Sequence, residues 1–251
     1  MSLRIIAKLD VKPPFVVKPV HFEGLRKVGT PHDLAYKYYL QGADELCYID
    51  IVASLYQREI LPDGVKESSQ DCFVPFSVGG GITSIEDCTK LFHSGADKVV
   101  INTYALQHNP DLINEAVKIF GSQSVVINIE SKQRDGYWEC YSDCGRIPSG
   151  KNVLEWIKEV ESRGAGEIFL QSVDTDGKMK GFDIELITKA VSSVAIPVVA
   201  CSGAGSVEDI LEVAQKAKPS GIAIASLLHY DKTTIGEIKT YLSENGIKVA
   251  L

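Results

Sequence analysis

The chain has 251 residues, 45% hydrophobic and 24% charged, with a formal net charge of −7. That balance excludes a general nucleic-acid or anionic-membrane binder, though not a local basic pocket for a phosphorylated metabolite. No apolar run approaches the roughly 18 residues of a spanning helix, and the length fits two small domains or one α/β barrel.

The start, Met1-Ser2-Leu3-Arg4, leads straight into a strand and carries no secretory h-region, so a cytoplasmic location is expected. From there apolar, β-branched runs fall at residues 4–9, 45–51, 74–78, 98–101, 124–129, 167–171, 197–200 and 221–225. They are continuous and not alternating, as expected of strands buried on both faces of a parallel sheet. Helical patterns lie between them and begin at Pro31 (after Thr30), Ser84, Pro110 (after Asn109), Asn152, Asp183, Ser206 and Thr234. Several carry an N-cap residue or a proline in the first turn. Strict alternation of eight such units predicts a (β/α)8 barrel as one domain over residues 1–251, with a doubly wound sheet as the alternative.

Three stretches stand apart. Glu59-Ile60-Leu61-Pro62-Asp63-Gly64-Val65-Lys66 carries a proline and a glycine where a helix belongs, which predicts a late, short or irregular helix. Residues 11–30 and 131–151 are long connections at the C-terminal ends of the first and fifth strands, the catalytic face of such a barrel. The second alternates apolar residues (Tyr137, Trp138, Cys140, Tyr141), which suggests a small hairpin. The six cysteines show no small-scaffold spacing and read as reduced thiols. Cys140 and Cys144 lack the second pair that a metal site would need.

The halves superpose in sequence. Asp10 matches Glu130, Gly42-Ala43-Asp44-Glu45-Leu46 matches Gly164-Ala165-Gly166-Glu167-Ile168, and Gly79-Gly80-Gly81 matches Ser202-Gly203-Ala204-Gly205, at a near-constant offset of about 120 residues. A duplicated half-barrel follows. Its two small-residue loops, each opening a helix with a serine, read as phosphate cradles facing one another across one mouth. Asn102-Thr103 completes the first and Ala225-Ser226 the second. Such a mouth fits an elongated ligand with a phosphate at each end. Asp10 and Glu130 then flank its middle, where two carboxylates can serve as general acid and general base. A lone carboxylate is more often a cap or a solvated side chain; the matched positions favour function. At the opposite barrel end, Arg4, Glu45, Lys98 and Glu167 each stand where a strand begins, and charges of alternating sign there can close into a ring of ion pairs.

These residues resemble the cyclase subunit of imidazole glycerol phosphate synthase, the HisF family. The resemblance covers nearly the whole chain. Its most specific stretches are Leu9-Asp10-Val11-Lys12, Phe22-Glu23-Gly24-Leu25-Arg26, Gly95-Ala96-Asp97-Lys98-Val99, Ile101-Asn102-Thr103, Phe120-Gly121-Ser122-Gln123 and Asp174-Thr175-Asp176-Gly177. It implies a barrel of the ribulose-phosphate-binding type and a glutaminase (HisH-like) partner docked on the bottom face as a heterodimer. Ammonia from that partner passes through the barrel and converts a bis-phosphorylated aminoimidazole-carboxamide ribonucleotide to imidazole glycerol phosphate. By the same resemblance Asp10 is a catalytic aspartate, and Lys18 belongs to the loop that closes over substrate. Gly81, Asn102 and Thr103 form one phosphate site, and Asp176, Gly177, Gly203, Ala225 and Ser226 the other. Arg4, Glu45, Lys98 and Glu167 match the ammonia gate, and Asp97 matches an acidic position facing the partner. No metal or redox cofactor is implied.

The departures from the family cluster at the chemistry. Glu130 replaces the second catalytic aspartate and moves its carboxylate out by one methylene, roughly 1.5 Å; a displacement near 1 Å can cost on the order of a hundredfold in rate. Lys8 replaces a small residue and projects a charge toward the barrel interior. Pro13-Pro14-Phe15 replaces a turn with Gly and Arg, Gln171 a Thr, and Cys201-Ser202 a Ser-Gly pair. Three readings follow: the ammonia-dependent cyclase of histidine biosynthesis; a second-copy relative that delivers ammonia for sugar amidation in surface-polysaccharide synthesis; and a stand-alone sugar-phosphate isomerase resembling the HisA family. The charge ring argues against the third, and the carboxylates kept at both catalytic positions favour the first.

Overall fold

Continuous apolar runs become parallel strands in the computed structural model, which describes residues 2–20, 23–58 and 62–250. The first half contains β1 (Arg4–Lys12), β2 (Phe15–Val20), β3 (Glu23–Gly29), α1 (Pro31–Leu40), β4 (Glu45–Asp50), α2 (Pro62–Ser69), β5 (Phe76–Gly79), α3 (Ile85–His93), β6 (Lys98–Ile101), α4 (Thr103–Gln107) and α5 (Asp111–Phe120). The second half contains β7 (Val125–Arg134), β8 (Tyr137–Ser142), β9 (Ile147–Asn152), α6 (Val153–Ser162), β10 (Glu167–Ser172), α7 (Ile184–Ser193), β11 (Val198–Cys201), α8 (Val207–Lys216), β12 (Gly221–Ile224), α9 (Ser226–His229) and α10 (Ile235–Glu244).

Eight of these strands close a parallel ring in the order β1, β4, β5, β6, β7, β10, β11, β12 and back to β1. This is the (β/α)8 barrel expected from the alternation. Among the described residues, no helix is long and apolar enough to cross a membrane.

Local chemistry sets the helix starts. Thr30 accepts from the Asp33 N–H ahead of Pro31, and Ser84/Asp87, Ser206/Asp209 and Thr234/Glu237 form reciprocal capping boxes. The helix expected at Pro110 begins one residue later, because Pro110 is itself the cap and Asn109 Oδ1 accepts from the Asp111 N–H. After β4 the helix is short, as its sequence suggests: α2 starts at Pro62, where a missing N–H costs little, and buries only Val65 and Ser68. Glu59, Ile60 and Leu61 of that stretch lie outside the described residues, as does Phe22.

Among the described residues, both long connections carry strands. Residues 131–151 form the expected hairpin, with β7 pairing antiparallel to β8 and β8 to β9. The connection after the first strand is also a hairpin, which its sequence did not announce. β1 runs on to Lys12, Pro13-Pro14 makes the turn, and β2 pairs antiparallel with β1 and then β3.

Side chains divide by parity along each strand. On β1, Ile5, Ala7, Leu9 and Val11 join the shell between sheet and helices, while Arg4, Ile6, Lys8 and Asp10 point into the barrel. The interior is therefore layered. A charged layer lies at the base, followed by an apolar layer of Ile6, Cys47, Val100, Val126, Phe169, Val199, Cys201 and Ala223. Above these come Lys8, Asn128 and Gln171, and then the mouth.

Candidate active site

The mouth is organised by the ends of β1 and β7. Asp10 and Glu130, each on the inward parity of its strand, are both buried. They are held by different chemistry. One Asp10 oxygen is ion-paired with Lys8 and the other lies 3.6 Å from Lys18 Nζ. Among the described residues the donors to Glu130 are neutral: Asn102 Nδ2 at 3.0 Å on one oxygen and the Gly145 N–H at 2.7 Å on the other. Burial alone would raise both carboxyls. For Asp10 the two lysines outweigh burial and hold it below the ordinary carboxylate range. For Glu130 burial prevails over the Gly145 hydrogen bond, and its pKa is pushed up to about 7. Lys8 is itself buried, yet the Asp10 charge keeps its ammonium protonated.

Two cavities flank this pair. The first, about 510 Å³, is lined by Gly81, Asn102 and Thr103 together with Lys8, Glu130 and Gln171. The second, about 30 Å³, is lined by Asp176, Gly177, Gly203, Ala225 and Ser226 together with Asp10, Lys18, Lys8 and Gln171. Each candidate phosphate residue thus lies on the expected side. The loops require glycine: Gly81 stands at φ +70 with a would-be Cβ 2.8 Å from Ala53 Cβ and Arg58 O. At Gly203, φ +114, the same atom would meet Gly181 O at 2.2 Å.

One detail corrects the sequence reading. The serine-led helices α3 and α8 do not offer bare N–H groups at their starts. Asp87 takes the N–H groups of Thr83 (2.9 Å) and Ser84 (3.0 Å), and Asp209 those of Gly205 (2.8 Å) and Ser206 (3.1 Å). A carboxylate already satisfies those helix ends. The short helices α4 and α9 have no side-chain cap at Asn102 and Ala225, and their first residues line the cavities. The helix ends left without a side-chain cap beside each cavity are therefore those of α4 and α9, and the glycine loops leave clearance next to them.

Lys18 reaches across the second cavity from β2. Its ammonium lies 3.3 Å from Asp176 Oδ1, which also accepts from Ser202 Oγ at 3.2 Å. The Asp176 carboxylate therefore anchors the hairpin lysine. Ser202 takes φ +72, a left-handed conformation that glycine adopts more freely.

At the base, the four charges of the first, second, fourth and sixth barrel strands do converge. Arg4 pairs with Glu45 at 2.9 Å and with Glu167, and Lys98 Nζ lies 2.9 Å from each glutamate. Cations and anions alternate in a closed ring. The two glutamates are buried, while Arg4 and Lys98 keep part of their surface in water. Burial opposes the charge on Arg4 and Lys98, and the glutamates more than offset it, so both are raised. Asp97 is exposed on the same face, with one oxygen accepting from the Phe76 N–H at 2.8 Å.

Several mouth residues went unread in the sequence. Asn128 is one: its Oδ1 accepts from Gln171 Nε2 at 2.6 Å below the carboxylates, and the period-two pattern 126, 128, 130 was the available signal. Asp50, buried at the end of β4, pairs with Arg58 at 2.8 Å beside the first cavity. His229 hydrogen-bonds Tyr38 through Nδ1 at 2.7 Å, and burial lowers its pKa to about 4. It lies in a four-residue helix with no periodicity to mark it. Cys144 donates its thiol to Ile51 O, and all six cysteines are free.

Comparison with known proteins places the chain in a family. The profile of the family described as "Histidine biosynthesis protein" matches residues 4–234. Imidazole glycerol phosphate synthase subunit HisF of Thermococcus onnurineus is 47% identical over all of this chain and 99% of its own length. The subunit of the same name from Pyrococcus furiosus is 44% identical over equal coverage. That of Legionella pneumophila is 49% identical over 83% of this chain and 98% of its own length. The chain belongs to the histidine biosynthesis protein family, and within it to the HisF subunits of imidazole glycerol phosphate synthase.

Proposed function

We propose that this chain is the cyclase subunit of an imidazole glycerol phosphate synthase. It joins ammonia to a bis-phosphorylated aminoimidazole-carboxamide ribonucleotide and splits it into imidazole glycerol phosphate and an aminoimidazole ribotide, a step of histidine biosynthesis in the cytoplasm. The observation that carries the reading is the pair Asp10 and Glu130, buried in one mouth between two glycine-bounded cavities. Two phosphates anchored in those cavities would hold the middle of the ligand between the carboxylates. Binding energy from the ends then orients the reacting centre. The carboxylates act there as an acid–base pair.

The same reading gives the base of the barrel its role. Ammonia enters from a glutaminase partner docked near Asp97 and passes the Arg4–Glu45–Lys98–Glu167 ring as a gate. It then crosses the apolar layer below Lys8. An uncharged nucleophile suits that layer, because an ammonium ion would lose its hydration there without a partner. The relatives' names support the synthase subunit and lend nothing to the sugar-amidation alternative.

The test is direct. Purified chain with the bis-phosphorylated substrate and excess ammonium salt should consume substrate without any partner. Absence of turnover at every ammonium concentration would sink the proposal.

A further inference from the structure

Lys8 is a cation inside the barrel that neither the fold nor a phosphate cradle requires. It stands between the apolar layer and the mouth, is buried, and lines both cavities. Its ammonium is committed to one oxygen of Asp10, whose other oxygen faces Lys18. Opposite, Glu130 meets no cation in contact among the described residues; its two oxygens take a side-chain amide and a backbone N–H. The mouth carboxylates therefore differ in the charge of their partners. That is a difference of geometry.

We propose that Lys8 is a positioning residue that divides the work of the two mouth carboxylates: by holding Asp10 as a carboxylate, it leaves Glu130 as the group that carries the proton. A count of the buried charges around the pair supports this. Lys8 and Lys18 balance Asp10 and Asp176, so an ionised Glu130 would leave one buried negative charge unmatched, whereas a protonated Glu130 closes the count. The remaining groups facing the pair point the same way. Asp143 on the hairpin turn and Asp176 after β10 both raise Glu130, and Lys8 opposes them without contact. His229 on α9 faces Asp10, and Cys47 on β4 and Cys201 on β11 flank Lys8 as thiols that burial keeps protonated. Asn102 suits either state of Glu130. Its Oδ1 is buried without a hydrogen-bond partner, and rotation of the amide would offer that oxygen to a protonated carboxyl.

What the protons are used for rests on the cyclase reading above. In that reaction Asp10 accepts one proton from the entering nitrogen, and Glu130 donates one to the atom whose bond breaks. The summed charge of the pair is unchanged, and exchange with water resets it between turnovers. A bound ligand with two phosphates adds negative charge to the mouth and strengthens the assignment of the proton to Glu130.

The experiment reads the protons themselves. The full chain is labelled with ¹³C at the Asp and Glu side-chain carboxyls and titrated by NMR from about pH 2 to pH 9, with the two signals assigned through Asp10→Asn and Glu130→Gln. Asp10 should titrate below the ordinary carboxylate range, and Glu130 near neutrality. In Lys8→Met the Asp10 midpoint should climb by about 1–3 pH units and Glu130 should rise with it; Lys8→Arg should leave both in place. Asp10 titrating near neutrality in the parent, or an Asp10 midpoint unmoved in Lys8→Met, would overturn the proposal. Should Lys8→Met fail to fold, Lys8→Gln replaces it, and the parent titration alone still overturns the idea if Glu130 behaves as an ordinary carboxyl. Turnover at constant free ammonia separates the two claims. It should decline above about pH 7 as Glu130 loses its proton. A chain with no turnover but with the expected titrations loses only the cyclase reading, and an active chain with unmoved midpoints loses only the role of Lys8.

Discussion

The two halves of the barrel are alike at the base and unlike at the mouth. At the base, Glu45 on β4 and Glu167 on β10 occupy equivalent positions of the repeat, and each is paired with both Arg4 and Lys98. At the mouth, the equivalent cavities measure about 510 and 30 Å³, and the equivalent carboxylates are held by lysines in one half and by neutral donors in the other. The backbone keeps the repeat in both places: each half has a hairpin after its first strand, a glycine loop, and a short helix behind its fourth strand. The asymmetry lies in what the hairpins carry. β2 sends Lys18 across to Asp176 and Asp10, while the turn between β8 and β9 offers the Gly145 N–H to Glu130. A duplicated scaffold can thus hold a ligand with similar ends while the hairpins make its middle directional.

The largest expected effect breaks that middle. Asp10→Asn keeps the shape but removes the charge that Lys8 and Lys18 are built around. It should lower kcat for the ammonium-dependent reaction by about 10²–10⁴-fold, with KM changing far less. Steady-state kinetics at saturating ammonium would show it. A loss confined to KM would mean that Asp10 only binds.

The base offers the symmetric control. Glu45→Gln or Glu167→Gln leaves Arg4 and Lys98 sharing one carboxylate, and each should cost on the order of 3 kcal/mol in urea unfolding. The two should agree within about 1 kcal/mol. A large inequality would show that the ring is not the symmetric feature its distances describe.

The glycine loops come next. Both Gly81→Ala and Gly203→Ala force an L side chain to positive φ, but the new methyl meets different neighbours. At Gly203 it meets a backbone oxygen at 2.2 Å; at Gly81 the nearest atoms lie at 2.8 Å. Gly203→Ala should therefore cost about 3 kcal/mol and Gly81→Ala about 1–2 kcal/mol, read as shifts of the unfolding midpoint.

Much of this was legible in the chain. Strands buried on both faces write themselves as unbroken apolar runs, and capping boxes such as Ser84/Asp87 and Thr234/Glu237 are local signals, so element starts fell within a residue or two, while β1 and β7 run three and five residues past their apolar runs into the hairpins. The repeat placed Asp10 opposite Glu130 because duplicated positions keep their offset. What stayed hidden depends on contacts between distant residues or on segments too short for periodicity. The hairpin of β2 and β3 has few apolar alternations to mark it, and Lys18 finds Asp176 across 158 positions of sequence. The serines of α3 and α8 suggested open helix ends, but the aspartates three residues on, visible in the same stretches, close them. Lys8 and Asp10 stand two apart on one strand, so their shared face could be read; that the lysine chooses Asp10 and leaves Glu130 to an amide could not.

The smallest expected effect is a slope. Glu130 is raised from 4.5 to about 7, so between those values the folded chain holds a proton that the unfolded chain has released. Its contribution is therefore lost as pH rises, and unfolding free energy should fall by about 1 kcal/mol from roughly pH 6 to pH 7. Asp10 has the opposite sign: its lowered value stabilises the fold above the ordinary carboxylate range and is lost only as pH falls into acid. Glu130→Gln should flatten the neutral slope and leave the acid limb, and Asp10→Asn should do the reverse. Urea midpoints measured across the range would separate the two. If both variants altered the same limb, the carboxylates would be equivalent, and the mouth would be as symmetric as the base.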